Sequence, residues 1–344
     1  MQIFSNTHYD FIKWRWHAIA LSAAVILAGA VMVVQRGLPL GIDFSGGTIV
    51  VFKFQNAVGE EAVRKAISGV PGEKAVQQFG KPEEHSILVR LPQPVGVEEG
   101  FSLEKDAKAL NDAVKAANLG AFQEISREVV GPAIGKDLQR KGLWATLLSI
   151  VGITAYIALR FRLTFALGAI AATFHDILVT LAFLVFFGYD LSLNVIAALL
   201  TITGYSVNDT IVIFDRVREN MHTMRRDDLE KVVNESVNQT LGRTLITAGT
   251  TFLSVLALYL FGGEVLKGFA FTMLVGIISG TYSTIFIAAA VAILMSRRAA
   301  GLPAGAAAVA SQAAGSSQAA GTTARPVSGG KKSATRSQRK ANVR

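Results

Sequence analysis

Six long stretches that are free, or almost free, of charged side chains constrain this chain more than any other feature. Four contain no Asp, Glu, Lys or Arg, at 18–35, 143–159, 244–263 and 268–296. Two more are interrupted once each, 163–189 by His175 and Asp176, and 191–214 by Asp209. A bilayer core takes about 20 residues of helix at 1.5 Å each, and a soluble domain has no reason to repeat that length six times. Composition agrees: 51% of the 344 residues are apolar and 17% charged, where an ordinary soluble domain carries about 25%. The expected fold is an α-helical polytopic membrane protein with six transmembrane helices. A water-soluble enzyme is excluded.

Loop charges orient the spans. Lys13 and Arg15 precede the first, Arg160 and Arg162 join the second to the third, and Arg216, Arg218, Arg225, Arg226 and Lys231 crowd the loop between the fourth and fifth. The alternate connections, around Tyr189 and Lys267, are nearly free of basic residues. By the positive-inside rule both termini are cytoplasmic and the segment between the first two spans lies outside, although Arg140 and Lys141 run against the trend. The small residues 28–30 also permit reading the first span as a cleaved signal peptide; the apolar run continues through Val34, and either reading exports the next segment. The formal charge of +9 belongs to the tail at 297–344, which holds nine basic residues and no acidic one. That Ala/Gly-rich tail is expected to be disordered and solvated, so the basic balance does not imply specific nucleic-acid binding. With no cysteine, disulfides and Cys-ligated zinc or iron–sulfur sites are excluded.

The exported segment, 37–141, reads as one compact domain. β-Branched and aromatic residues mark strands at 48–55, 75–79, 86–91 and 122–130, and apolar spacing marks helices at 59–68 and 103–118. The order βαββαβ is that of a small α+β ferredoxin-like domain between helices 1 and 2. The chain thus divides into an N-terminus with the first span (1–36), the exported domain (37–141), five further spans (142–296) and the tail (297–344). No phosphate loop, nucleophile elbow or paired carboxylates stand in the exported domain, and no histidines have ligand spacing. No cofactor, metal or catalytic residue is expected. Binding or movement is the role that remains.

Polar groups inside the spans carry the chemistry. Asp209 costs about 2.5–3.5 kcal/mol on insertion scales and so faces a partner, a cavity or a proton path. Thr201, Tyr205 and Asp209 are four apart on one helical face, with Asn194 and Asn208 nearby. A titrating role is the favoured reading of Asp209, with a neutral hydrogen-bonded helix contact as the alternative. Arg243 opens the fifth span in an antiparallel neighbour, either as a snorkelling anchor or as the partner of Asp209. His175 and Asp176 point about 100° apart and stand either as a second proton relay or as a satisfied polar pair holding spans together. Gly204, Gly242, Gly249, Gly276 and Gly280 are candidate points of close helix approach, with Gly276 and Gly280 at the small-x-x-x-small spacing.

Several runs, in order along the chain, resemble the SecF family of the bacterial Sec preprotein translocase: GIDFSGGT at 41–48, VVGP at 129–132, His175 with Asp176, GYSVNDTIVIFDRVREN at 204–220, RTLIT at 243–247 and GTYS at 280–283. Gly41, Asp43, Gly46, Gly47, Asp215 and Arg216 belong to these motifs. The resemblance covers roughly 10–296 and leaves out the tail. It implies a half-size relative of the resistance–nodulation–division transporters in the bacterial inner membrane. It further implies pairing with SecD, association with the SecYEG channel and YajC, and use of the proton-motive force to draw preproteins outward after SecA has pushed them, without ATP hydrolysis by the chain. In that family Asp209 and Arg243 are held to move protons. Two other classes stay open on the residues alone: a proton-coupled small-molecule exporter of the wider superfamily, for which a domain of about 100 residues is small, and a passive structural subunit of the translocon.

The charge pattern makes a topological prediction. Reporters fused at Gly120 and Tyr189 should report an external location, and those at Met224 and Gly305 an internal one; an external signal at Met224 would overturn the arrangement.

Overall fold

The computed structural model describes residues 7–71, 74–80, 82–92 and 102–299. The tail expected to be disordered lies, from residue 300 on, outside the described residues. Six helical spans are long and apolar enough to cross a membrane. They are α1 (Arg15–Arg36), α5 (Pro132–Arg160), α6 (Leu163–Phe187), α7 (Leu193–Thr223), α8 (Leu229–Phe261), and a composite of α9 (Glu264–Ser283), a π-helical turn (Thr284–Ala288) and α10 (Ala289–Ala299). The chain is a multi-pass membrane protein.

Helix ends overrun the apolar stretches. Gly131 is extended and Pro132 stands at the first helical position, where its fixed φ suits a helix start and its missing N–H costs nothing. α5 therefore begins well before the apolar run at 143, through a charged turn that hydropathy passes over and that Lys141 and Asp137 brace at 2.7 Å. α7 and α8 likewise have 31 and 33 residues, beyond the ~20 a bilayer needs, so their adjoining ends project from it.

Between α1 and α5 lies the sheet domain. A one-turn helix α2 (Ile42–Ser45) leads into β1 (Gly47–Phe54), α3 (Glu60–Ala66), β2 (Ala75–Phe79), β3 (Ser86–Pro92), α4 (Ser102–Ala116) and β4 (Phe122–Val130). Strand order is β2-β3-β1-β4 with every neighbour antiparallel. This is the split arrangement expected from the βαββαβ order. Alternate residues Val50, Phe52 and Phe54 turn to one face and pack with Val89 on Val63, Ile67, Leu110 and Val114. A bulge intervenes in β4: Val51 pairs with Ser126 but Phe52 with Glu124, which leaves Ile125 as the extra, exposed residue.

The other face of the sheet looks onto the ends of α6, α7 and α9 across a crevice of 420 Å³. Three contacts tether it there. Arg90 of β3 forms an ion pair with Asp190, in the α6–α7 turn. Leu191 N–H donates to Pro39 O at 2.7 Å while Gly41 N–H donates to Leu191 O at 2.8 Å. Leu193 N–H, at the start of α7, donates to the Asp43 carboxylate at 2.8 Å, where an anion also suits the helix dipole. Gly46 and Gly47 lie at φ +73° and +132°, in the region that disfavours side chains, and Phe44 O comes within 3.2 Å of where a Cβ on Gly135 would stand.

Glycines decide how closely the spans approach, though not all those the spacing suggests. A Cβ on Gly276 would sit 2.2 Å from Ile202 Cδ1, and one on Gly280 3.0 Å from Ser206 Cβ, so this pair does face α7. Gly204 and Gly249 meet nothing within 4 Å and do not serve as contacts. Two positions that the spacing did not mark are similarly tight: a Cβ on Gly29 would lie 2.3 Å from Ala182 Cβ, and one on Gly168 2.6 Å from the backbone oxygen of Ala288 in the π-helical turn. Spacing alone does not say which face of a span is turned inward. Accordingly, Gly168→Ala should destabilise the bundle by about 1–3 kcal/mol through overpacking. Gly249→Ala should be neutral or stabilise by up to about 1 kcal/mol. Thermal unfolding of the detergent-solubilised protein measures both.

Candidate functional site

Polar side chains meet at the middle of the bundle because six apolar spans leave them nowhere else to find partners. α6 buries Asp176, and its carboxylate collects four donors. Oδ2 accepts from the hydroxyls of Ser206 on α7 at 2.6 Å and Ser283 on α9 at 2.8 Å. Oδ1 accepts from Ser279 on α9 at 2.7 Å and, in the tautomer protonated at Nδ1, from His175 at 3.1 Å. That tautomer leaves His175 Nε2 to accept from Ser22 of α1 at 2.8 Å. Tyr282 lies with its ring stacked 6.0 Å from His175 and donates its hydroxyl to Ala18 O at 2.6 Å. One carboxylate thereby joins α6, α7 and α9, and its histidine extends the network to α1. His175 and Asp176 do touch despite their 100° separation, because each bends toward the other while holding its own partners.

Asp209 is one helical turn from Ser206 and is also buried. Its situation differs from that of Asp176. Oδ1 accepts from Thr244 Oγ1 on α8 at 2.9 Å, while Oδ2, buried, has no hydrogen-bond partner among the described residues. The Asp209–Arg243 pair that the sequence suggested is not made: Thr244 holds the carboxylate, and Arg243 turns to the exposed side of α8, near enough to act on Asp209 by charge alone. The reason is helical geometry. Adjacent residues diverge by about 100°, so α8 can direct only one of the two at α7. Next to this site Thr210 Oγ1 lies 3.0 Å from Thr284 Oγ1, in the π-helical turn. Such turns free a backbone carbonyl and recur at functional sites.

The remaining candidates separate. Tyr205 is half-buried and packs against the apolar cluster of Ile202, Ala248 and Ile277, and Asn208 is exposed. Thr201, Tyr205 and Asp209 share a stripe, but the stripe that meets the neighbouring helices holds Thr203, Ser206, Asp209 and Thr210. Gly41, Asp43, Gly46 and Gly47 stand at the sheet-domain end of the bundle. At the opposite end Asp215 binds Arg160 at 2.9 Å, and Arg216 binds Gln239 and Glu219, each at 2.5 Å. Ser206, Thr244, Ser279 and Ser283 were not singled out beforehand, since a lone hydroxyl is common in any span. Their signal lay in standing within a helical turn of an intramembrane charge or in the antiparallel neighbour at matching depth.

The comparisons with known proteins agree with this architecture. Residues 109–298 match the model of the family described as protein export membrane protein SecD/SecF, C-terminal, and residues 31–58 match the SecD/SecF GG motif. The chain is 40% identical over 312 residues to the protein translocase subunit SecF of Rhodothermus marinus, covering 87% of this chain and 97% of that one. It is 37% identical over 292 residues to the SecF of Escherichia coli O157:H7, covering 84% and 88%. Among solved structures it superposes on SecDF from Thermus thermophilus, described as a translocon-associated membrane protein, with a TM-score of 0.76 and 33% identity. That match covers 86% of this chain and spans only 40% of the solved one. The chain belongs to the SecF family of protein translocase subunits.

Proposed function

We propose that this chain works with SecD in the bacterial inner membrane, termini in the cytoplasm, as a proton-coupled subunit that draws preproteins outward through the SecYEG channel. SecA supplies the ATP-driven push, YajC joins the assembly, and Asp209 is the proton carrier. The observation that carries the reading is the half-satisfied Asp209 carboxylate, with Thr244 on one oxygen and the other buried without a partner among the described residues. Asp176 has partners on both oxygens, whereas Asp209 leaves one oxygen buried and unmet among the described residues, and an intramembrane carboxylate left so is the natural place to assign the proton.

Arg243 supplies the second state. Proton release from Asp209 leaves an anion whose best available partner is the guanidinium one residue before Thr244. Exchanging the Thr244 hydroxyl for Arg243 requires α8 to turn or slide against α7. The glycine-lined contact of α9 with α7 and the π-helical turn beside Thr284 are where such a shift is absorbed. Movement of α7 is transmitted to the sheet domain through Leu193 and Asp43, and through the α6–α7 turn, where Asp190 holds Arg90. The domain that would meet the exported chain is thus attached directly to the helix bearing the titrating group. Asp176, satisfied in full, serves on this reading as the fixed point about which the spans move.

The test is preprotein export in membrane vesicles containing the chain with its SecD and SecYEG partners, with and without a proton gradient. Asp209→Asn and Arg243→Met should each abolish the gradient-dependent stimulation and leave ATP-driven translocation intact. The double variant should be no worse than either alone, because residues acting as a unit are non-additive. Asp176→Ala should instead lower thermal stability, by about 3–5 kcal/mol if the hydroxyls and imidazole left behind find no new partner. Gradient-dependent stimulation that survives in Asp209→Asn would reduce Asp209 to a helix contact and favour the scaffold reading.

A further inference from the structure

A groove of 700 Å³ opens at the end of the bundle opposite the sheet domain, between the α5–α6 turn and the far end of α7. Its rim carries four guanidinium groups, Arg160, Arg162, Arg218 and Arg225, and no carboxylate lines it. Its floor is aromatic: Phe214 is buried and meets Phe165 edge-on at 5.2 Å and Phe161 at 6.1 Å. Arg160 is engaged by Asp215 at 2.9 Å, and Arg225 Nε donates to His222 O at 3.1 Å. Among the described residues Arg162 and Arg218, both exposed, form no ion pair. The apolar runs of α5 and α6 stop and start on either side of residues 160–162, so this rim lies where hydrocarbon gives way to headgroups.

We propose that the groove binds an anionic phospholipid, its phosphate held by Arg162 and Arg218 and the start of an acyl chain lying on Phe161, Phe165 and Phe214. Guanidinium groups pair with phosphate through parallel N–H donors, and they do so at low desolvation cost. Basic pockets between spans are recognised sites for such headgroups. What favours a lipid over an acidic peptide is the combination on one surface: unpaired cations on the rim, an aromatic floor below, and a position at the membrane boundary. A phospholipid presents an anion and an apolar chain in that same order. Bound there, it would join the α5–α6 turn to the end of α7, the helix that carries Asp209.

The test uses the full chain, solubilised and stripped of lipid, with native mass spectrometry counting adducts of dioleoylphosphatidylglycerol, dioleoylphosphatidylcholine, inorganic phosphate or a glutamate-rich peptide. Phosphatidylglycerol should bind at least tenfold more tightly than phosphatidylcholine. Each arginine removed should weaken it about fivefold, so Arg162→Gln/Arg218→Gln should lose about 25-fold. Arg162→Lys/Arg218→Lys should keep the preference for the anionic lipid, and Lys13→Gln/Lys231→Gln, which alters cations outside the groove, should stay within about twofold of the unaltered chain. Equal binding of the two lipids by the unaltered chain overturns the proposal whatever the variants do. So does binding of inorganic phosphate or the acidic peptide as tight as that of phosphatidylglycerol, or an equal loss in the variant outside the groove.

Discussion

The structure depends on a rule the bilayer enforces: a polar group withdrawn from water must find its partner inside the protein. Asp176 shows the rule obeyed in full. Its two oxygens take hydroxyls from Ser206, Ser279 and Ser283 and the imidazole of His175, so one buried carboxylate joins α6 to α7 and α9, and the histidine carries the network on to Ser22 of α1. Apolar side chains cannot specify that arrangement, since lipid tails are as apolar as they are and hydrophobic burial gives no preference for one helix over another. Hydroxyls aimed at a carboxylate do specify it. The close glycine contacts Gly29, Gly168 and Gly276 then allow the backbones near enough for those short side chains to reach.

Asp209 shows the same rule obeyed by half: Thr244 meets one oxygen, and the other is buried without a partner among the described residues. It lies one helical turn along α7 from Ser206, which serves Asp176, and the two carboxylates differ in the donors they meet, one against four. On the proposed reading, that difference is what makes Asp209, and not Asp176, the proton carrier. The π-helical turn at Thr284–Ala288 borders both sites, through Ser283 on one side and Thr210 on the other. A break in regular helical hydrogen bonding thus stands beside both carboxylates.

At the sheet-domain end the connections are of another kind. Asp43 receives the first N–H of α7, and Arg90 pairs with Asp190 in the turn that leads into it. These contacts bind the sheet domain to α7, the helix bearing Asp209, and to the turn that precedes it. The conformation of Gly46 and Gly47, which other residues adopt only under strain, lets the chain reverse from α2 into β1 so that Asp43 is held at the helix start. A motif read in the sequence as a family marker is, in three dimensions, the point where the sheet domain is fastened to the start of α7.

Much of this was legible before any coordinates. Six spans followed from the length of the uncharged runs, and the split βαββαβ domain from alternating and helical spacing. These are local properties: hydropathy and periodicity are written residue by residue along the chain. What stayed hidden was which residue faces which. The sequence offered Arg243 as the partner of Asp209, and the fold supplies Thr244 beside it. Gly249 looked like a packing glycine, yet a Cβ there would meet nothing within 4 Å, while one on Gly168, unmarked, would run into the oxygen of Ala288. Helix α5 started earlier than its apolar run because Pro132 and the charged turn after it contribute nothing to hydropathy. The sequence by itself determined the number of spans, the class of the sheet domain and which ionisable residues lie within the spans. Only the tertiary structure decided that Asp176 is satisfied and Asp209 is not, because that depends on the rotation of each helix about its own axis, and a rotation of about 100° exchanges one side chain for the next.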